Sequence, residues 1–323
     1  MRADNLYCHF PFCRNKCSYC NLFSKVGTPE KERGEYVKSL APLAAGRYKT
    51  AYFGGGTPLL QDLSPILKVV AADEFTVEIH PLDATEDNLL KLKDAGVTRI
   101  SMGLQSLHDG TLDSMNRGYD MKIASRAFAE VKKHFDNSGV DIIVGYPEDP
   151  TNSLTELSSW GLTHVSIYAI QNERNLKKIQ PDDIVLDKIG KYEEELKSLG
   201  IFRYEISNYS KPGYECRHNM AVWRGEDYIG LGEGAFGRIG LERTVSYGTG
   251  KFKRYSVSEN EDKTERTIFR LRTNLGLDAG NNARWAEHLD ISVREGFLSK
   301  KGTTYFLTDR GREVCDSILA ELI

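Results

Sequence analysis

Three cysteines, Cys13, Cys17 and Cys20, stand in C-x3-C-x2-C spacing within eight residues, near the start of a 323-residue chain. Half of the chain's six cysteines fall in this stretch, which sets them apart from ordinary packed thiols. A structural zinc site closes with a fourth Cys or His and favours paired C-x2-C units. Here Asn21, Leu22 and Phe23 follow Cys20, and no fourth thiol. Three thiolates suit three irons of a 4Fe–4S cluster instead, for which Cys is the usual ligand. The remaining iron is then free to bind something else, so the motif speaks of chemistry as well as of folding.

Bulk properties narrow the setting. A net charge of −3 gives no overall basic face for nucleic acid. Mean hydropathy is −0.44, and no apolar run approaches the roughly 18 residues of a transmembrane helix. The opening Met1-Arg2-Ala3-Asp4-Asn5 lacks a signal-peptide core. The cysteines therefore read as reduced, in a cytoplasmic protein, and the clustered three as metal ligands rather than disulfide partners.

Short apolar runs alternate with helical patterns through the first two thirds of the chain. Strands are predicted at 6–9, 50–53, 75–79, 99–102, 140–144 and 165–169. Helices are predicted at 34–43, 64–71, 85–95, 122–134, 151–160 and 182–198, with Thr85 as an N-cap and Gly96 as a stop. Six βα units in series predict an α/β fold, an incomplete (β/α)6 TIM-like barrel whose open side admits a bulky partner. Chemistry then belongs at the C-terminal ends of the strands. The cysteine loop follows the first strand, Gly54-Gly55-Gly56 the second, and Glu78 ends the third.

The alternation breaks down from about Tyr204. In the tail, 267–277 and 283–289 read as helices, 297–307 as a hairpin and 308–322 as a final helix. The division expected is a core over 1–240 and a small winged-helix-like α+β appendage over 241–323, which is not expected to bind DNA.

Several side chains carry chemistry on their own evidence. Glycines at 54, 55 and 56 let backbone approach a ligand closely, and their amides act as fixed dipoles. Glu78 should point into the barrel mouth, where its charge can meet an ammonium; the alternative is an exposed strand-end acid. Cys8 and Cys315 read as core thiols. His80, His108, His134, His164 and His288 lack partners at metal spacing, whereas His9, one strand position from the loop, can touch a ligand.

The phrase Tyr7-x-His9-x-Pro11-Phe12-Cys13, the cysteine triplet, and Gly54-Gly55-Gly56-Thr57-Pro58 together resemble the radical S-adenosylmethionine (SAM) superfamily. With Gly103-Leu104-Gln105-Ser106 and Tyr204-Glu205-Ile206-Ser207-Asn208, the chain is similar to the HemW and HemN group, which holds a heme chaperone and the oxygen-independent coproporphyrinogen III oxidase. The resemblance implies a 4Fe–4S cluster on Cys13, Cys17 and Cys20, with SAM on its open iron. In proteins of this superfamily one electron, from a donor such as flavodoxin or ferredoxin, cleaves SAM to a 5′-deoxyadenosyl radical, and the resemblance implies the same here. It also implies contacts to that SAM from Tyr7, Tyr19, Gly55 and Glu78, and to a second SAM from Gln105, Arg117, Asp141 and Ala169. Left to themselves, Arg117 has the alternative of a solvated helix-end charge and Asp141 that of simply starting a strand.

The stretch Cys216-Arg217-His218-Asn219-Met220-Ala221-Val222-Trp223 is similar to the His-Asn-x-x-Tyr-Trp segment of the heme chaperone, with Val222 in place of the Tyr. It implies heme or another tetrapyrrole beside His218 and Trp223, binding that fades below the ordinary histidine pKa of about 6.5. The alternative is an ordered segment sealing the bottom of the barrel. The group's oxidase has a further Cys where this chain has Leu22 and a longer segment before Tyr7, which disfavours that activity here. The expected function is therefore HemW-like, in heme and porphyrin metabolism. The alternatives are a radical SAM methyltransferase or other biosynthetic enzyme using two SAM molecules, a coproporphyrinogen III dehydrogenase, and a non-catalytic heme-carrying protein.

Overall fold

The computed structural model describes residues 3–147, 149–170, 179–280 and 282–322. Six parallel strands follow one another in chain order: β1 (Asn5–Phe10), β2 (Gly46–Gly55), β3 (Val70–Ile79), β4 (Arg99–Gln105), β5 (Ser138–Val144) and β6 (His164–Ala169). Each pairs with the next in parallel register, as Cys8 with Phe53 and Thr76 with Arg99. The connecting helices are α1 (Glu30–Ala44), α2 (Ser64–Leu67), α3 (Glu86–Asp94), α4 (Asp109–Ser114), α5 (Met121–His134) and α6 (Asp182–Ser198). On α3, the Thr85 hydroxyl accepts from the Asn88 amide at 3.3 Å, and Leu89 and Leu92 turn inward. One large apolar cluster fills the space between sheet and helices, with Leu6, Phe53, Phe75, Val77 and Ile100 fully buried.

Several element boundaries differ from expectation. The helix predicted over 64–71 is four residues long, because Val70 and Ala71 pair with Gly46 and Arg47 and begin β3 early. The stretch predicted as a helix over 151–160 is a 3-10 turn, Thr155–Trp160, closed by Gly161 at a φ of 66°. The final helix is broken at Val314 into Asp309–Glu313 and Cys315–Ala320.

Beyond β6 the sheet continues on both edges. Strand β7 (Phe202–Arg203) pairs antiparallel with β8 (Asn208–Ser210), which itself adds antiparallel on β6. Helix α7 (Arg217–Trp223) follows, then β9 (Tyr228–Leu231), which lies parallel to β1 on its free side and was not foreseen. Strands β10 (Phe236–Ile239), β11 (Glu242–Gly248) and β12 (Lys251–Ser256) complete a twelve-stranded, open sheet. A division at residue 240 falls between β10 and β11, which are hydrogen bonded to each other.

A second apolar cluster gathers from Leu271 onward. It is built by α8 (Glu259–Leu271), α9 (Ala283–Arg294) and a three-stranded sheet of Leu277–Asp278, Leu298–Lys301 and Thr304–Leu307. Helix α8 starts eight residues before the predicted 267 because Ser258 and Glu261 form a capping box. At the other end, Leu277 leaves the helical pattern to pair with Tyr305.

Candidate functional site

The end of β1 turns directly into the cysteine loop. Phe12 and Cys13 pair with Lys25 and Val26, which pins both ends of the loop. The glycine loop after β2 is laced to it: the Gly56 amide donates to the Phe10 carbonyl and the Thr57 amide to the Phe12 carbonyl, both at 2.8 Å. Gly55 has a φ of +109°, and a Cβ there would lie 2.6 Å from the His9 ring. A Cβ on Gly56 would lie 2.8 Å from Cys13 Sγ. Side chains at these two positions would push the thiol and the imidazole apart, so the bare backbone is a packing requirement.

A cavity of about 630 Å³ opens over the strand ends. Tyr7, Cys13, Cys17, Tyr19, Cys20, Gly55, Gly56, Thr57, Glu78, Gln105, Arg117 and Asp141 all line it. The three thiols are free and partly exposed, and burial pushes that of Cys13 up. Among the described residues no three His, Cys, Asp or Glu side chains stand ready for a single ion. A four-iron cluster makes a different demand, since each thiolate takes its own iron. Three thiols facing one cavity fit that demand.

Glu78 is the electrostatic centre of the cavity. Its carboxylate accepts from Tyr52 Oη at 2.8 Å and from the Gly55 amide at 3.0 Å. Burial and the nearby Asp141 charge push its pKa up to about 7, and those two hydrogen bonds only partly oppose them. The acid is therefore poised between charged and neutral near neutrality, not spent at an exposed strand end. Asp141, also raised by burial, accepts from Ser101 Oγ at 3.0 Å.

Arg117 is not a solvated helix-end charge. Its guanidinium donates to the Gly103 carbonyl at 2.7 Å and to Tyr19 Oη at 3.2 Å, and stands 3.5 Å from Cys17 Sγ. Gln105 holds a φ of 74°, uncommon outside glycine, and sits where the β4–β5 register shifts. Two residues depart from the group. Gly54 lies beneath the Glu78 carboxylate, 2.8 Å from where its Cβ would be, and Ala169 is exposed at the end of β6, outside the cavity lining. His80, read from the sequence as packed or solvated, lines the cavity with its pKa driven down to about 3 by burial and by Arg117 and Arg14. Its place two residues after Glu78, just past a strand end, was the signal for it.

His218 and Trp223 lie elsewhere, in a second cavity of about 760 Å³. Its lining is largely apolar and aromatic, with Phe23, Ile206, Val222, Tyr228, Phe236 and Val245 beside them. Tyr7, Leu22, Glu78 and Tyr168 face both cavities and form the wall between them. His9 faces the second cavity, donating from Nε2 to the Phe23 carbonyl and, as a neutral ring, accepting from Tyr7 Oη at Nδ1, each at 2.9 Å.

Helix α7 carries His218 and is anchored from below by Glu74 of β3. That carboxylate accepts from the amides of Arg217 and His218, each at 3.0 Å. Helix α7 packs against the early residues of β2 and β3, and His218 lines the second cavity. Burial, with the charge of Arg99, takes the His218 pKa down to about 3. The expected fading of ligand binding near pH 6.5 is corrected by this, since the imidazole stays neutral far below that pH.

Comparison with known proteins agrees with this architecture. The Radical SAM superfamily profile matches residues 7–160. The "Heme chaperone HemW" of Escherichia coli is 29% identical over 367 aligned positions, covering 98% of this chain and 97% of that protein. The protein of the same name from Synechocystis is 32% identical over 273 positions, covering 73% and 66%. Among solved structures, the E. coli coproporphyrinogen III oxidase HemN, described as a radical SAM enzyme, superposes with a TM-score of 0.83 over 99% of this chain and 90% of its own, at 19% identity. That likeness concerns the fold. Among the described residues no helix is long and apolar enough to cross a membrane. A superfamily profile starting at the first strand and relatives alike from end to end lead to one conclusion: this chain is a HemW-like radical SAM protein.

Proposed function

We propose that this protein handles heme in the manner the name of its HemW relatives indicates, with SAM at the smaller cavity and a tetrapyrrole in the larger. The observation that carries this reading is the pair of adjoining cavities with one shared wall. The second is large enough for a bulky ligand, within the ~300–1,000 Å³ usual for such sites, and is lined mainly by apolar and aromatic groups. A neutral imidazole faces it, and neutral imidazole is a natural axial ligand for heme iron.

In this reading Cys13, Cys17 and Cys20 hold the 4Fe–4S cluster, and Tyr7, Tyr19, Gly55, Thr57 and Glu78 hold SAM beside it. The cluster, once reduced by an external donor, supplies the electron for cleaving SAM. The chain's own residues bind and orient. The Gly54–Gly56 backbone gives room, Glu78 offers its charge to the SAM amine, and Tyr52 and the Gly55 amide keep that carboxylate in place. His218 and Trp223 hold the tetrapyrrole, with Val222 supplying less contact than the Tyr of the family's segment.

The test is anaerobic reconstitution with iron and sulfide followed by hemin titration. About one heme per chain with a Soret shift is expected, weakened in His218→Ala and unchanged in His134→Ala; equal uptake by all three refutes it. A second reading, a methyltransferase using two SAM molecules, draws support from Gln105, Arg117 and Asp141 on the wall of the first cavity. Product analysis separates the two: S-adenosylhomocysteine marks methyl transfer, and 5′-deoxyadenosine marks radical cleavage alone.

A further inference from the structure

We infer that Asn5 and Thr50 are positioning residues that lock His218 with its ring proton on Nδ1, leaving Nε2 as a lone pair for the larger cavity, which thereby selects a metal-bearing tetrapyrrole over a metal-free one. The selection rests on the reading that the tetrapyrrole lies beside His218; the lock does not.

The lock follows from counting hydrogens along a buried chain. The Asp227 carbonyl can only accept, so the Asn5 side-chain atom 3.0 Å from it is the amide nitrogen, and Oδ1 faces the other way. Thr50 Oγ1 lies 2.8 Å from Asn5 Oδ1. Of those two oxygens only the hydroxyl carries a hydrogen, and this contact uses it. Thr50 Oγ1 also lies 2.8 Å from His218 Nδ1. With the hydroxyl hydrogen spent, that bond must run from Nδ1–H to the oxygen. A neutral ring protonated on Nδ1 has a bare Nε2, and among the described residues Nε2 has no hydrogen-bond partner.

Nothing along the chain is free to reverse it. Asn5 and Thr50 are 1% and 2% exposed, so water does not compete for these groups. Glu74, 5% exposed, fixes the first turn of α7 through the Arg217 and His218 amides. The imidazole is flanked by the rings of Tyr52 and Tyr7, with centroids 5.4 and 6.4 Å away. The opposite tautomer would turn Thr50 and Asn5 into two facing acceptors and aim an N–H at the cavity. A Lewis-acidic metal at the centre of a macrocycle takes the Nε2 lone pair. A metal-free ring offers no such acceptor orbital and keeps only the apolar contacts of Trp223 and Val222.

Long-range 15N–1H NMR of the ligand-free, histidine-labelled protein reads the lock directly, His218 being assigned by its loss in His218→Ala. Wild type should show Nδ1–H, and Thr50→Val should shift the signal toward Nε2–H while Thr50→Ser restores it. An Nε2–H signal in wild type, or an unchanged tautomer in Thr50→Val, overturns the lock whatever heme does. Titrations with hemin and with metal-free protoporphyrin IX read the selection. Thr50→Val should weaken hemin about tenfold or more, with protoporphyrin changed less than about twofold. Equal wild-type affinity for both, or a shifted tautomer with unchanged hemin affinity, overturns the selection. Hemin uptake that survives His218→Ala also overturns it and marks the functional reading itself as the failure, while the ligand-free spectrum still decides the lock.

Discussion

At the scale of single residues, the three clustered thiols and the two core thiols make opposite predictions. Replacing Cys13, Cys17 or Cys20 by Ala should abolish the iron content and brown colour of anaerobically purified protein. Cys8→Ala and Cys315→Ala should keep both, since these thiols are 0% and 3% exposed and face apolar clusters. Iron analysis decides it, and loss of the cluster in Cys8→Ala would count against the ligand assignment. Glu78 predicts a pH dependence. With its pKa near 7, the carboxylate gains charge as pH rises, so affinity for the SAM amine should climb between about pH 6 and 8. Glu78→Gln removes the charge, should weaken binding about ten- to hundredfold, and should flatten that climb. Anaerobic calorimetry across this range checks both; a flat wild-type curve would remove Glu78 from the binding interaction. Residues of this kind were legible because they sit in dense motifs at strand ends. Asn5, Thr50, Glu74 and Tyr52 were not, because their role comes from strands that register side by side, and no spacing along the chain announces it.

Among elements, the ones with the strongest pattern were the most legible. All six parallel strands and α6, at 182–198, lie where alternation and periodicity put them. The ends went astray where pairing overrode propensity, as at Val70 and Leu277. Strand β9 was missed because Tyr228-Ile229-Gly230-Leu231 is too short to show a period, and only its fit against β1 makes it a strand. Helix α8 has a function its sequence did not reveal: it fastens the appendage to the sheet and braces α7. Asp262 on α8 pairs with Arg238 of β10, Arg243 of β11 and Arg266, and Phe269 meets Trp223 edge to face at 5.8 Å. Burial works against the Asp262 charge, but the hydrogen bonds from Arg266 and Arg243 and the charge of Arg238 outweigh it and bring the pKa down to about 2. A carboxylate lowered on folding stabilises the fold above its ordinary pKa, and that contribution is lost as pH falls through the folded value. Urea unfolding should therefore show wild type losing stability between about pH 4 and pH 2, and Asp262→Asn, already weaker at neutral pH, losing less over the same interval. An identical acid response in both would show that this cluster does not anchor α8.

For the whole molecule, Tyr7, Leu22, Glu78 and Tyr168 face both cavities, and this shared wall predicts that their occupants are coupled. Hemin affinity should change several-fold when SAM is present, and SAM affinity should change by the same factor when hemin is present, as linkage requires. Tyr168→Ala, which thins the wall and spares the thiols, should bring that factor toward one. Affinities that ignore the second ligand in wild type would mean that the wall transmits nothing.

The place of β1 has a consequence for how the protein is made. This strand leads into the cysteine loop, yet its two neighbours are β2, ending at Gly55, and β9, starting at Tyr228. Synthesis at about 5–20 residues per second puts roughly 10–45 s between the emergence of the cysteines and that of β9. During that interval the outer edge of β1 has no partner, and α7 does not yet exist. The cysteine loop is thus made well before the strand that covers the second edge of β1, so in the proposed reading iron delivered to a nascent chain would meet the loop beside an open edge, and iron delivered after release would meet it inside a finished sheet.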